Sequence, residues 1–439
     1  MRQLGLTSAT AMVVANMVGA GVFTTTGFLL ADLRSPGLVV LTWAVGGMVA
    51  LAGALSYGAI AREIPESGGE YLFLSRTLHP SAGFLAGWVS LLAGFSAPLA
   101  AVAIGFGAYS NLWFPQWPPK LIGTILLGGC AAIHVRSVTL GVRVQNGIVL
   151  LKVVALLGFI LTGLSGLDFP ESFGWDGGGG TARPPSTGFP YGVFAVSLVW
   201  VSFSYAGWNA AVYIGSEVTQ PRRNLPGSLF LGTLLVMILY VGVNGVFVFS
   251  TPSEVMAGQL EVGQIAARHL GGRVWEHGIT AIIVVALATS ASAMMMAGPR
   301  VYHRMASDGL LPNWWKDRGG CEASSPPRRA IFLQWAVAVG FLWSGAFEAL
   351  LTYIGFTLGL SNVAVVIGML IDFRRRQVPL GIPGGWTAPI LFVGATVLAI
   401  GMAFQQKPVE CLWGSLTLVL GLGFYRLVDG RNKGRPSVG

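Results

Sequence analysis

The sequence predicts an all-α polytopic membrane protein with twelve transmembrane helices. Two features of composition point there. Only 10% of the residues are charged and 53% are hydrophobic, whereas a soluble chain carries about a quarter charged; mean hydropathy is +0.67. The third observation is length. Uncharged apolar stretches of about 20 residues, enough to cross roughly 30 Å of hydrocarbon, recur along the chain. Only helices and closed barrels satisfy their backbone groups in lipid. A barrel needs repeated ten-residue alternation, which the sequence lacks.

The stretches lie near 6–31, 37–61, 81–110, 120–135, 143–164, 190–216, 227–250, 278–299, 329–346, 348–371, 387–404 and 410–427. Basic residues punctuate them in order. Arg2 precedes the first, whose start mimics a signal peptide; the spans that follow make it a retained helix. Arg34 separates the first from the second, Arg62 and Arg76 the second from the third, and Lys120 the third from the fourth. Arg136 and Arg143 flank the next connection, then Arg183, then Arg222 and Arg223, then Arg268 and Arg273. Six Lys and Arg fall between Arg300 and Arg329. The ninth and tenth stretches meet without a basic residue. Arg374 to Arg376 follow the tenth and Lys407 the eleventh.

Placing the N-terminus on one side puts 20 basic residues on that side and 6 opposite, with Lys152 left over. The positive-inside rule then puts both termini in the cytoplasm of a cell's inner (plasma) membrane. The same bias accounts for the net charge of +9 without nucleic acid. Cys130 and Cys411 fall in or beside spans and Cys321 in a cytoplasmic loop. No metal spacing or external pair results, so no cofactor, metal, disulfide or obligate protein partner is indicated.

Two spans are interrupted. "NMVGAGVF" sets Gly19, Ala20 and Gly21 in the first, and "VSFSYAGWNAAVYIG" sets Ser204, Ala206 and Gly207 in the sixth. Small residues like these serve close helix packing or a break. Five spans precede the second interruption, so it opens a second set running in the opposite sense. Paired interruptions in corresponding halves point to an inverted-repeat transporter. The expected organisation is a first repeat at 1–165, an external loop at 166–189 and a second repeat at 190–372. Two further helices and a cytoplasmic tail occupy 373–439. A break frees amides, which favour an anion, and carbonyls, which favour a cation. An α-amino acid carries both charges on one carbon.

The segments "MVGAGVF", "IPESGGEY", "VQNGIVLLK", "FSYAGWNAAVYIGSEVTQPRRNLPGS" and "AGPRVYHRMASDGLLP" occur in that order. In them the chain resembles bacterial amino acid permeases of the amino acid–polyamine–organocation (APC) superfamily, over roughly residues 5–430. The resemblance implies a LeuT-type 5+5 inverted repeat with discontinuous helices 1 and 6, plus two C-terminal helices. It places the substrate carboxylate at the amides of Gly19, Ala20 and Gly21. The substrate ammonium falls at carbonyls of Met17, Val18 and Phe203, with Phe203 a lid and Ala206 shaping the side-chain pocket. The family often has serine where Ala20 stands, so one hydroxyl is missing here. Trp208 and Asn209 brace the second break or simply pack.

Lys152 lies nine residues beyond Arg143, roughly 13 Å along a helix, near the bilayer centre. Its stem reaches only about 6 Å, too short to snorkel, so it faces the interior. The resemblance puts this amine where sodium-coupled relatives bind their ion. It then meets a carbonyl of the first break and a hydroxyl of span eight: Thr289 and Ser292, which share a face, or Ser290. The amine either carries the coupling proton or stays a fixed substitute cation; the bland alternative is a lysine that only stabilises the fold.

These readings describe a sodium-independent secondary transporter of neutral amino acids, working by alternating access with proton symport. Exchange, and amine or polyamine transport, are the alternatives within the superfamily. A membrane-embedded enzyme needs a nucleophile with its base, or a metal cluster, and neither pattern occurs.

Overall fold

The computed structural model describes residues 4–136, 141–166, 189–311 and 328–433. In a chain this apolar the backbone pairs within its own segments, and each of the twelve expected stretches carries helix. The first is split into α1 (Leu6–Met17) and α2 (Gly21–Leu33). After α3 (Pro36–Glu63) and a turn comes α4 (Gly69–Thr77). The third stretch holds α5 (Pro80–Val89), a π-helical turn at Ser90–Ser96 and α6 (Ala97–Ser110). α7 (Pro119–Arg136) and α8 (Gly141–Gly166) follow. The sixth stretch is α9 (Tyr191–Ser204), a break, and a 3-10 segment at Ala210–Glu217. The rest comprises α10 (Pro221–Ser250), α11 (Ser253–Met256), α12 (Val262–Ser307), α13 (Arg328–Ser344), α14 (Phe347–Arg376), α15 (Thr387–Gln406) and α16 (Pro408–Lys433). Among the described residues, seven helices are long and apolar enough to cross a membrane, or eight if α1 and α2 form one bent span.

Two details depart from the sequence reading. The eighth stretch begins at Val262 rather than near 278, because Gly271 and Gly272 (φ +66°) bend the chain and a helix precedes the bend. The third stretch is not continuous α-helix, since its π-turn faces the central cavity with Ser90, Gly94 and Phe95. Cys321, most of the external loop 166–189 and most of the cytoplasmic loop 300–328 lie outside the described residues.

Small residues set how closely the helices approach. A β-carbon on Gly107 of α6 would sit 2.0 Å from the Pro119 carbonyl oxygen, and one on Gly123 of α7 2.5 Å from that of Ala103. Both obstacles are backbone, which cannot swing aside. Gly107→Ala is therefore expected to lower stability by about 1–3 kcal/mol. The purified protein's melting temperature in detergent measures this, and a variant melting with its parent contradicts the packing. At one end of the bundle, the Leu4 amide donates to Glu217 O at 3.1 Å and the Thr219 amide to Leu4 O at 2.9 Å. This isolated parallel bridge ties the lead-in of α1 to the exit of the 3-10 segment.

Candidate functional site

The first break is short. α1 ends at Met17, the Gly19 amide turns back to Met17 O at 2.8 Å, and α2 resumes at Gly21 with the axis bent by 42°. At the second break Gly207 has φ +99°, a left-handed conformation that glycine adopts without a Cβ clash. The two breaks touch. A β-carbon on Gly21 would lie 2.4 Å from Ser204 Oγ and 2.5 Å from Ser204 Cα, and one on Gly207 would lie 2.9 Å from the Asn16 carbonyl carbon. Thr25 Oγ1 and Ser204 Oγ bridge the crossing at 3.0 Å. Aromatic packing holds it from behind: Trp43 meets Tyr205 and Tyr240 edge to face, and the two tyrosine rings tilt against each other, with centroids 5.1–5.9 Å apart. Tyr205 OH donates to Trp43 O at 3.0 Å, and Trp208 packs on Tyr57 at 4.6 Å.

A cavity of about 170 Å³ for water-sized occupants opens at this crossing, lined by Met17, Gly19, Ala20, Gly21, Phe203, Ser204, Ala206 and Gly207. That is room for on the order of ten waters, the size of a small solute. The Ala20 and Gly21 amides donate to no described residue. They open α2, so unpaired donors and the positive dipole end coincide there.

The three expected acceptors already have donors within the protein. Met17 O already accepts from Tyr240 OH at 2.6 Å as well as from Gly19 N. Val18, which does not line the cavity, gives its carbonyl to Lys152 Nζ at 3.3 Å and Ser290 Oγ at 2.9 Å. Phe203 O accepts the Ala206 amide at 2.9 Å. The carbonyls of Ser204, Tyr205 and Ala206 accept nothing from the described residues, so the unclaimed acceptors belong to the second break. The protein's own donors have taken the Met17 and Val18 carbonyls, which the sequence reading gave to a substrate ammonium.

Lys152 is 5% exposed and also donates to Ser290 Oγ at 3.1 Å. Thr289 and Ser292, expected as its partners, do not reach it. Thr289 bonds back to Val285 O at 3.0 Å, and Ser292 Oγ meets His134 Nε2 at 2.8 Å. Each residue turns a helix by about 100°, so only Ser290 of the three points at Lys152. Among the described residues no carboxylate pairs with this lysine.

Two buried polar groups at the crossing were missed. Tyr240, the phenol in the middle of an apolar span, holds Met17 O. The other is Glu70 in "SGGEY", which lines the cavity and is only 4% exposed. Asn209 Nδ2 donates to its Oε1 and Tyr213 OH to its Oε2 at 2.5 Å. Burial pushes this carboxyl above its usual range, against the opposing pull of those bonds and of its own amide. An acidic residue in a short connection between apolar spans was the available signal.

An apolar helical bundle whose interrupted helices meet at a solute-sized cavity is the construction of a membrane transporter. The chain belongs to the amino acid permease family, whose profile matches residues 4–424. It is 26% identical to the Homo sapiens large neutral amino acids transporter small subunit 2, over 97% of this chain and 80% of that protein. It is 25% identical to the Mus musculus b(0,+)-type amino acid transporter 1, over 97% and 88%. With the Mus musculus Asc-type amino acid transporter 1 it shares 24%, over 97% and 81%. The protein is thus an amino acid permease, a multi-pass membrane protein.

Proposed function

We propose that this permease is a sodium-independent secondary transporter of neutral amino acids, coupled to protons, in the inner (plasma) membrane with both termini cytoplasmic. The contact between the two breaks carries this reading. Unpaired amides at Ala20 and Gly21 face the same cavity as the unclaimed carbonyls at 204–206, a match for the two charges of one zwitterion. Residues 1–165 and 190–372 act as inverted repeats that rock about this point, with Phe203 as the lid and 373–439 outside the core.

Lys152, bonded to Val18 O and Ser290 Oγ, supplies the positive charge that a sodium ion would bring, which supports sodium independence. Among the described residues, Glu70 is the only Asp, Glu, Lys or Arg lining the cavity, and Gly46, Ala50, Gly355 and Gly359 leave room for an apolar side chain. Purified protein in proteoliposomes tests the reading. Unlabelled neutral amino acid inside is expected to accelerate entry of the labelled one, with no change when sodium is replaced by choline. An inward proton gradient is expected to drive accumulation. Flux that requires sodium, or no counter-substrate acceleration, overturns the proposal.

One relative is by name a small subunit, which favours a second reading in which a companion chain is required. Cysteines occur only at 130, 321 and 411, so such a companion would be held without a disulfide to an external loop. Flux from the purified chain alone excludes it.

A further inference from the structure

We propose that Glu70 is the proton-binding site of the transport cycle, protonated while it is latched to Asn209 and Tyr213 and ionised when that segment swings away. The proposal rests on the reading of the chain as an alternating-access carrier. Asn209 and Tyr213 lie just past Gly207, on the 3-10 half of the second interrupted helix, whereas Glu70 sits on α4. The latch therefore spans the joint between a moving half-helix and its support. Ser67 and Ser216 reinforce it: each side chain accepts the other's backbone amide, at 3.1 and 3.0 Å. A β-carbon on Gly69 would lie 2.3 Å from the Tyr213 ring, so the two elements are in full contact.

A charge in this place is poorly compensated. The groups facing Glu70 are neutral: Tyr57 from α3, and Tyr213 with Tyr302 behind it. α14 brings Asn362, which accepts from Tyr57 OH at 2.9 Å, and its charged Asp372 and Arg376 pair with each other at 3.1 Å. The loop before α4, α4 itself and the start of α5 add Glu66, Arg76 and His79, all in exposed contacts, and Asp308 meets Tyr71 at the surface. No described cation pairs with Glu70. A buried lone carboxylate is costly and is relieved by taking a proton. The protonated group keeps its cradle, because a carboxyl oxygen still accepts after protonation: Asn209 and Tyr213 go on donating to it, more weakly than to the carboxylate.

The cycle then balances. Glu70 takes its proton from water in the cavity while the latch is made. When the half-helix moves, both donors leave, water reaches the carboxyl, and the proton passes to cytoplasmic water. The latched state binds more protons because its carboxyl is raised. Acid therefore favours the latched form. As pH climbs from the ordinary glutamate value of about 4.3 through the raised one, opening is favoured.

Counterflow in proteoliposomes, measured from about pH 5 to about pH 8, tests this. Wild type is expected to show a pH-dependent rate and proton-driven accumulation. Glu70→Gln is expected to exchange with a flat pH profile and to lose proton-driven accumulation. Tyr213→Phe removes a donor that favours the carboxylate, so its midpoint is expected to rise by roughly one pH unit. Parental pH behaviour in Glu70→Gln, or a midpoint in Tyr213→Phe that stays or falls, overturns the proposal. Should Glu70→Gln fail to fold, Tyr213→Phe decides alone. A wild type that exchanges amino acids with no pH dependence refutes the role of Glu70 and leaves the carrier reading intact; one that moves no amino acid refutes both.

Discussion

Lys152→Ala is expected to lose amino acid transport, or its coupling to the driving ion, while remaining folded. The amine joins α8 to the first break through Val18 O and to α12 through Ser290 Oγ. Each bond to a charged group contributes about 1.5–3 kcal/mol. Losing that much from one conformation of a two-state cycle shifts the populations by roughly 10- to 150-fold. Stability falls less, because Ser290 Oγ still holds Val18 O at 2.9 Å and a buried ammonium without a carboxylate has been removed. Initial rates in proteoliposomes, alongside the melting temperature in detergent, separate the two effects. Wild-type rates with wild-type pH dependence would refute a transport role for the lysine; a collapsed protein would mean that it mainly holds the fold.

Gly21→Ala gives the second large effect. Its methyl group would meet Ser204 Oγ, Cα and Cβ at 2.4–2.6 Å, closer than carbon atoms pack. Rotating the serine cannot relieve a clash with Cα, so the two breaks must separate. A displacement of about 1 Å at a binding site costs on the order of a hundredfold in turnover. The substitution also favours helix by about 1 kcal/mol, so the variant is expected to express and melt normally while transport fails. Gly128→Ala is the matched control, since a β-carbon there meets nothing within 4 Å. Equal flux in the two variants would show that the crossing does not form the substrate site.

Much of this was legible in the residues because lipid leaves the backbone few options. The positions of the breaks could be read from Gly19, Gly21 and Gly207, where helix propensity and burial conflict, and the burial of Lys152 from its place within an apolar span. What could not be read was rotation and reach. Thr289, Ser290 and Ser292 are equivalent hydroxyls in a sequence, and only the turn of α12 singles out Ser290. Tyr240 sits far along the chain from Met17, so nothing local announces that its hydroxyl takes the carbonyl assigned to a solute. Glu70 was overlooked for the same reason: it belongs to a connection, and its burial is created by Asn209 and Tyr213 from 139 and 143 residues away.

The bridge at Leu4 has a mechanical consequence. Its amide and carbonyl are both committed to the strand leaving the 3-10 segment, so the half-helices α1 and 210–217 are yoked at their outer tips. Tilting one drags the other. In the proposed alternating-access cycle, release on that side becomes a single concerted stroke with one barrier, and spin labels at positions 4 and 218 are expected to part in the same step that frees the solute.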